Sequence, residues 1–423
     1  MHGRETEKHS KQRHRLAASI TEFQGPAAII SRRAADRIRA GHVWVYQSDI
    51  EELTSEPAGL LPVADRRGIL LGTALYSPVS QIALRFVSNG LINRTRWLDL
   101  LRERLQAAIR LRQPMLTAET NACRLVFSEA DELPGIIADK YGDLIILQLL
   151  TKSLDNNETR ALISEVLNDE LKPETIIERP DPRIREIEQL SQPSTAPLYT
   201  ADPDQPLFST NFQLNGLTFH YDANAGQKTG AFLDQRENYA AAARHARGEA
   251  LDICTYQGGF ALHLAQVCPR VTGVDISRAA LETAEKNLAA NAARLSNSNV
   301  DWIEANAFDL LRDWSQSGAV YDAIVLDPPA FAKSKRAVEG ALRGYKELNL
   351  RAMKMLRPGG TLVTCSCSHH VSLADFQQIV AAAAGDGGRR ARLIERRGAA
   401  ADHPVILTIP ETEYLKCLIC SVE

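Results

Sequence analysis

The chain has 423 residues, 44% hydrophobic and 24% charged, with a formal net charge of −3 at pH 7. This is the profile of a globular protein with room for two or three cores. It excludes a fibrous or wholly disordered chain, and no apolar run approaches the roughly 18–20 residues of a membrane span.

The first residues, MHGRETEKHSKQRHRL, are polar and lack the apolar region of a secretory signal, and Glu5, Glu7 and Glu22 interrupt what would be a basic presequence. A cytoplasmic protein is expected. Seven cysteines in such a chain read as thiols, mostly buried, rather than as a disulfide framework. Residues 1–25 form a basic extension. Residues 26–93 carry short apolar runs (AAII, HVWVY, GLLPVAD, GILLGTALY, QIALRFV) separated by Gly, Pro and Asp, the pattern of a small β-rich barrel. Residues 94–205 open with a helix over 96–113, whose stripe holds Trp97, Leu100, Leu101, Leu105, Ala108, Ile109 and Leu111. Two or three strands with a Tyr-Gly-Asp turn, a helix over about 155–169 and the strand ETIIER complete a small α/β unit, and the Pro/Ser-rich stretch 191–206 serves as linker.

From 206 to 423 apolar strands alternate with helices: LDICTY, VTGVDI, VDWIEAN, YDAIVLD and TLVTCS. Ser277 is placed to cap a helix that buries Leu281, Ala284 and Leu288. The pattern predicts a doubly wound, mostly parallel sheet with helices on both faces. Such sheets bind ligands outside the carboxyl ends of their strands. The first strand runs into Gly258-Gly259, without the G-x-G-x-x-G spacing of a dinucleotide turn. A tight strand–helix turn explains the pair as well as a close ligand does. The other ends carry Asp275, suited to ribose hydroxyls or to a helix start, then Asn306, then DPPAF at 327–331, then TCSCS at 364–368. Residues 331–360 hold eight Lys/Arg against two Glu, a basic stretch that could attract phosphates or form a solvated face.

These motifs, LDxxxxxGGF, GVDIS, EANAFD, VLDPPAFAKSK and TCSCS, resemble class I S-adenosylmethionine-dependent methyltransferases. More narrowly they are similar to the 23S ribosomal RNA cytosine-5 methyltransferases with an N-terminal PUA domain, as are GQKTGAFLDQRENY, RLVFSEADELPGIIADKYGD and RIRAGHVWVYQSDI. The resemblance covers nearly everything after residue 26. It implies a PUA-like RNA-binding domain at 26–93, a small central domain at 94–205 and a Rossmann-like methyltransferase domain at 206–423. It also implies S-adenosyl-L-methionine as methyl donor, and large-subunit ribosomal RNA as partner; a homodimer stays open. By the same resemblance Asp252, Gly258 and Gly259 surround the methionine moiety, Asp275 holds the ribose, and Asn306 and Ala307 sit by the adenine, the family usually having Asp in place of Asn306; Tyr256, Phe260 and Ile276 are further cofactor contacts. Thr229, Asp234, Gln235 and Arg236 match a segment that packs on the cofactor, and Asp327 is both a cofactor contact and a catalytic candidate.

Carbon 5 of cytosine becomes nucleophilic only after a thiolate adds to carbon 6, so this chemistry needs a cysteine. The resemblance assigns the attack to Cys365, in the T-C-S triplet, with Cys367 as second candidate on the same strand face. Asp327 is the candidate for stabilising the adduct at ring nitrogen 3. A thiol of pKa about 8.5 needs help to ionise, and Lys333, Lys335 and Arg336 are candidates for that help or for target phosphates. Phe331 either stacks on a flipped base or packs. A zinc site is disfavoured by the C-x-C spacing and a redox pair by its strained ring, with His369 and His370 at a helix start or in solvent. Two other readings stay open: methylation of a ring or exocyclic nitrogen through DPPAF, without a cysteine, and an RNA-binding assembly factor that has lost turnover.

Overall fold

The computed structural model describes residues 27–54, 57–179, 181–192, 194, 196–224, 231–332 and 334–423, with Lys335 described by its backbone only. The expected N-terminal extension, Thr229 and Lys333 therefore lie outside the described residues. The chain forms two units. One takes the described residues up to Gln113, Leu125–Leu207 and Val405–Pro410; the other takes Pro114–Arg124, Phe208–Pro404 and Glu411–Glu423.

In the first unit, Ser31 ends β1 (Ala28–Ile30) and accepts a hydrogen bond from the Ala34 N–H, starting α1 (Arg32–Arg39). This helix escapes the strand-only reading of the segment because a single turn-forming residue decides it. β2 (Trp44–Tyr46), β3 (Ile50–Leu53), β4 (Gly59–Asp65), β5 (Leu70–Tyr76) and β6 (Ile82–Ser88) then complete a six-stranded sheet ordered β2-β6-β5-β4-β1-β3. Its core unites Val45, Val63, Ala74 and Leu84 with Ala34, Ala35 and Ile38 of the helix. α2 (Arg94–Arg112), capped by Asn93, buries Trp97, Leu101, Leu105, Ala108 and Ile109. Leu111 does not join this stripe: it is 51% exposed, and Arg112 is buried in its stead. The Arg112 guanidinium meets Asp131 through two hydrogen bonds of 2.6 and 2.9 Å, a forked pair that removes both charges from water together. β7 (Ala122–Phe127), β8 (Ile136–Tyr141) and β9 (Leu144–Leu149) lead to α3 (Asn157–Leu171), β10 (Thr175–Glu178), α4 (Pro182–Glu188) and β11 (Tyr199–Thr200), giving a sheet ordered β11-β10-β9-β8-β7.

The second unit begins with the hairpin β12 (Ser209–Leu214) and β13 (Leu217–Asp222), closed by Asn215 and Gly216 at φ of 51° and 78°, the conformation that an Asn-Gly pair favours. α5 (Arg236–His245) precedes β14 (Glu249–Ile253), α6 (Gly259–Leu264) and β15 (Arg270–Asp275). α7 (Arg278–Ala290), β16 (Asn299–Glu304), α8 (Ala307–Ser317) and β17 (Tyr321–Leu326) come next. The unit ends with α9 (Val338–Met355), β18 (Leu356–Ser366), α10 (Leu373–Asp386), β19 (Ala391–Arg397) and β20 (Lys416–Val422). The seven strands are ordered β16-β15-β14-β17-β18-β20-β19, and only β20 runs against its neighbours. This is the expected doubly wound Rossmann-like sheet. Ser277 caps α7 as expected, but that helix turns Asn287 rather than Leu288 into the interior. There the Asn287 amide accepts from His220 N–H (2.8 Å) and donates to the Gln257 carbonyl (2.9 Å), tying the hairpin to the loop after β14. Leu251, Ile253, Leu326 and Leu362 pack with Tyr345, Leu348 and Met353 of α9 and Phe376 of α10.

Much of the basic stretch 331–360 is neutralised by partners in the fold. Arg343 pairs with Glu339, Lys346 with Asp386 (2.7 Å), Arg351 with Glu347 (2.8 Å) and Arg357 with Asp322 (2.8 Å). Phe331 packs, with ring centroids 4.7 Å from Tyr345 and 5.9 Å from Phe308. No described helix is long and apolar enough to cross a membrane.

Replacing Arg112 by Met leaves the Asp131 carboxylate buried without its counter-charge. The expected loss is about 3 kcal/mol of stability, read from urea unfolding midpoints, whereas Leu111→Ala at the exposed neighbour stays within about 0.5 kcal/mol.

Candidate active site

The site is assembled from the ends of β14, β15, β17 and β18. After Ile253 the backbone enters the left-handed region three times in five residues, at Cys254 (φ 65°), Tyr256 (φ 51°) and Gly258 (φ 83°). Two of these are not glycine, so the turn carries strain that other contacts must hold. Asp275 and Asp252 supply them. One Asp275 oxygen accepts from the Tyr256 N–H (2.9 Å) and the other from the Ser277 N–H (2.9 Å). One Asp252 oxygen accepts from the Thr255 hydroxyl (2.5 Å) and the Ala261 N–H (2.9 Å), joining the turn to α6. The other Asp252 oxygen, Oδ1, is buried with no hydrogen-bond partner among the described residues.

The glycine pair is required by packing as much as by any ligand. A Cβ at Gly259 would lie 2.5 Å from the Tyr239 ring, and one at Gly258 2.9 Å from Trp302. Tyr239 in turn sets its ring edge-on to Phe260 (4.7 Å between centroids) and donates its hydroxyl proton to the Phe232 carbonyl (3.2 Å). Phe232 packs on Tyr256 at 5.0 Å. Phe232, Tyr239, Tyr256, Thr255, Gly259, Phe260 and Asp327 line a cleft that opens to solvent.

The remaining expected cofactor residues divide into two groups. Ile276, 68% exposed, follows Asp275 at the rim. Asn306 is exposed, and its side-chain oxygen accepts from the N–H groups of Phe308 (2.9 Å) and Asp309 (3.3 Å) to cap α8, which Ala307 begins. Asn and Asp cap equally well, which accounts for Asn at this position without reference to a ligand. Asp234 and Gln235 open α5 from a tight turn. Asp234 accepts from the Tyr414 hydroxyl (2.6 Å), and Gln235 accepts from the Asn238 amide (2.6 Å). Arg236 is directed elsewhere: its buried guanidinium donates to Asp402 (3.3 Å) and the Ala122 carbonyl (3.4 Å).

The two cysteines of TCSCS differ sharply. Cys365 lies within β18, directly opposite Cys417 of β20, and is 0% exposed. Burial, the neighbouring Cys417 and Asp327 push its thiol far above the usual range, against a hydrogen bond from Gln235. Cys367 lies one residue beyond the strand end, half-buried, with its Sγ 3.9 Å from the Pro328 carbonyl of the DPPAF turn. Burial, Asp327 and Asp234 push it up to about 11, and Lys416 acts in the opposite direction. His369 and His370 are exposed in the turn before α10, where His369 sets its ring 5.5 Å from Tyr414. Cys420 belongs to the core with Leu418, on the strand face opposite Cys417.

Residues 28–89 match a PUA-like domain, and residues 183–401 match the S-adenosylmethionine-dependent methyltransferase family. Ribosomal RNA large subunit methyltransferase I of Photobacterium profundum is 37% identical over 395 residues, covering 91% of this chain and 96% of that protein. Its namesake in Shewanella amazonensis is 38% identical over 389 residues, covering 90% and 95%. The chain belongs to the ribosomal RNA large subunit methyltransferase I family. It is thus an S-adenosylmethionine-dependent methyltransferase with a PUA-like N-terminal domain. A solved protein of Streptococcus mutans, described as a candidate S-adenosylmethionine-dependent methyltransferase, shares the fold, with a TM-score of 0.77 at 18% identity over 93% of this chain and 99% of its own.

The residues present suit that cofactor. S-adenosylmethionine carries an ammonium and a sulfonium, and the strand ends offer Asp252, with its unpartnered oxygen, Asp275 and Asp327. The exposed Ile276 and Phe308 supply apolar surface at the rim. Two site features were outside the sequence reading. The aromatic wall of Phe232 and Tyr239 lies in FLDQRENY, where only the polar residues drew notice. Lys416 opens the last strand and Tyr414 precedes it by two residues, and the strand's reversed direction brings both to this edge.

Burial raises the Asp252 carboxyl to about 7, with Asp275 adding to the rise and the Thr255 and Ala261 hydrogen bonds opposing it. A group with a raised folded pKa stabilises fully below its unfolded value of about 4, and that stabilisation is lost as pH rises through about 7. Unfolding free energy of the cofactor-free protein should therefore fall by a few kcal/mol across that window. Asp252→Asn should flatten the fall, as read by urea titrations at several pH values.

Proposed function

We propose that the enzyme transfers a methyl group from S-adenosylmethionine to carbon 5 of a cytosine in large-subunit ribosomal RNA, through a covalent adduct on Cys367. The family relatives named above support the RNA substrate. The observation that carries the mechanism is the contrast between the two thiols. Cys365 is sealed inside the sheet against Cys417, whereas Cys367 is accessible beside the Pro328 carbonyl, next to Asp327. A nucleophile has to reach a base from outside the sheet, so accessibility places Cys367 ahead of Cys365, the first expectation.

In this reading the Cys367 thiolate adds to carbon 6 of the flipped cytosine, breaking the ring's aromaticity and building carbanion character at carbon 5. Asp327, at the rigid Pro328-Pro329 turn, takes up a proton from solvent when the base binds and in that neutral form donates a hydrogen bond to ring nitrogen 3, dispersing the charge. Bound S-adenosylmethionine supplies the methyl group as an electrophile for carbon 5. A base then removes the carbon 5 proton, the carbon 6–sulfur bond breaks, and Cys367 leaves as thiolate. Cys365 sits behind it with Gln235 and Cys417, holding the strand that presents the nucleophile. The PUA-like domain contributes RNA contacts through shape and backbone.

Incubation with large-subunit ribosomal RNA and labelled cofactor, followed by nucleoside mass spectrometry, should give 5-methylcytidine. Cys367→Ala should lower transfer by at least about 10³-fold while S-adenosylhomocysteine binding persists, and Cys365→Ala should retain most activity. The reverse pattern would return the attack to Cys365. Full activity in the double variant, with a nitrogen-methylated product, would replace the covalent mechanism by direct transfer at the DPPAF turn.

A further inference from the structure

Lys416 is the first residue of β20 and is 5% exposed. It stands opposite Ser366 in the strand register, at the point where β18 ends. Its ammonium donates to the Ser368 carbonyl (2.7 Å) and the Tyr414 carbonyl (2.7 Å). The first of these carbonyls belongs to the residue that follows Cys367. Among the described residues Lys416 forms no ion pair, so a full positive charge is held in the interior on neutral acceptors. Burying an ammonium in this way is costly unless an anion compensates it.

Two groups around it can carry that charge: Glu413, which is exposed, and Cys367, which lies on the inner side of the turn and is the larger influence. Cys367 faces Asp234, Asp327, Tyr345, Tyr414 and Lys416, of which Lys416 is the cation. Lys416 faces Cys367, Glu413 and His369. The influence is mutual: burial drops the lysine to about 8 while Cys367 holds it up, and the lysine draws the thiol down.

We propose that Lys416 is a positioning residue for the methyl transfer: its buried ammonium stabilises the Cys367 thiolate from the inner side and fixes the turn that presents it. The thiol proton leaves to solvent and the ammonium keeps its charge beside the sulfur. After the adduct breaks down, the expelled thiolate returns to the same counter-ion. This inference rests on the reading that Cys367 attacks.

The test is the pH dependence of iodoacetamide alkylation at Cys367 in the full chain, followed on its peptide by mass spectrometry. In Lys416→Met the midpoint should rise by about one pH unit or more, equivalent to about tenfold slower alkylation near neutrality. Lys416→Arg, which keeps the charge, should stay close to wild type. In the Met variant the acidic limb of the kcat–pH profile should shift upward by the same amount, with S-adenosylhomocysteine affinity and the KM for RNA unchanged. Equal alkylation midpoints in wild type and Met variant overturn the proposal and leave Lys416 a structural anchor. Should the Met variant not fold, Cys367→Ala provides the reciprocal readout. The Lys416 ammonium, followed by nuclear magnetic resonance, should then titrate at lower pH than in wild type, and an unchanged titration overturns the ion pair. Alkylation reports on the thiol alone, so a shifted midpoint together with an active Cys367→Ala would refute the covalent mechanism and leave the ion pair standing.

Discussion

The site depends on β18 being hydrogen-bonded along both edges. On one edge the parallel β17 ends level with it and delivers Asp327 and the Pro-Pro turn. On the other edge β20 runs in the opposite direction, so its beginning, not its end, lies beside the end of β18. A parallel strand there would present its carboxyl end at the same edge and leave its first residues at the far side of the sheet. Reversal thus brings Tyr414 and Lys416, among the last residues of the chain, against a turn formed some fifty residues earlier.

The same edge is strongly acidic. Asp234, Asp252, Asp275 and Asp327 converge on it, and each is held by a backbone or hydroxyl contact or faces a buried thiol. Such an environment suits a cationic methyl donor, but it opposes the ionisation of a cysteine. The proposed mechanism needs both, and so calls for a positive charge placed selectively. In this fold Arg343, Arg351 and Arg357 are matched with Glu339, Glu347 and Asp322, and in the proposed mechanism the interior Lys416 takes that role.

How much of this was legible in the sequence follows from the range of the interactions. The alternation of apolar strands and helices, the strand ends at Asp275 and Asp327, and the cap at Ser277 are local, and the structure reproduces them. The basic run of residues 331–360 could be read either as phosphate-attracting or as a solvated face, because two of its partners, Asp322 and Asp386, lie outside the run. Leu111 read as core, and Arg112 takes the buried place instead, because the forked pair with Asp131 is a tertiary contact that periodicity does not encode. The ranking of Cys365 and Cys367 turned on where β18 stops, and strand ends are set by pairing with both neighbours. The glycine pair was legible as a tight turn, but the Tyr239 ring that forbids a side chain at Gly259 comes from another helix.

The position of β20 also bears on the order in which the sheet can form. Its seven residues lie between β18 and β19. Until they are in place, β19 has no neighbour to join and the thiol-bearing strand has one bare edge. Closure of this half of the sheet is therefore a single non-local step, in which a strand that follows β19 in the chain is inserted in front of it.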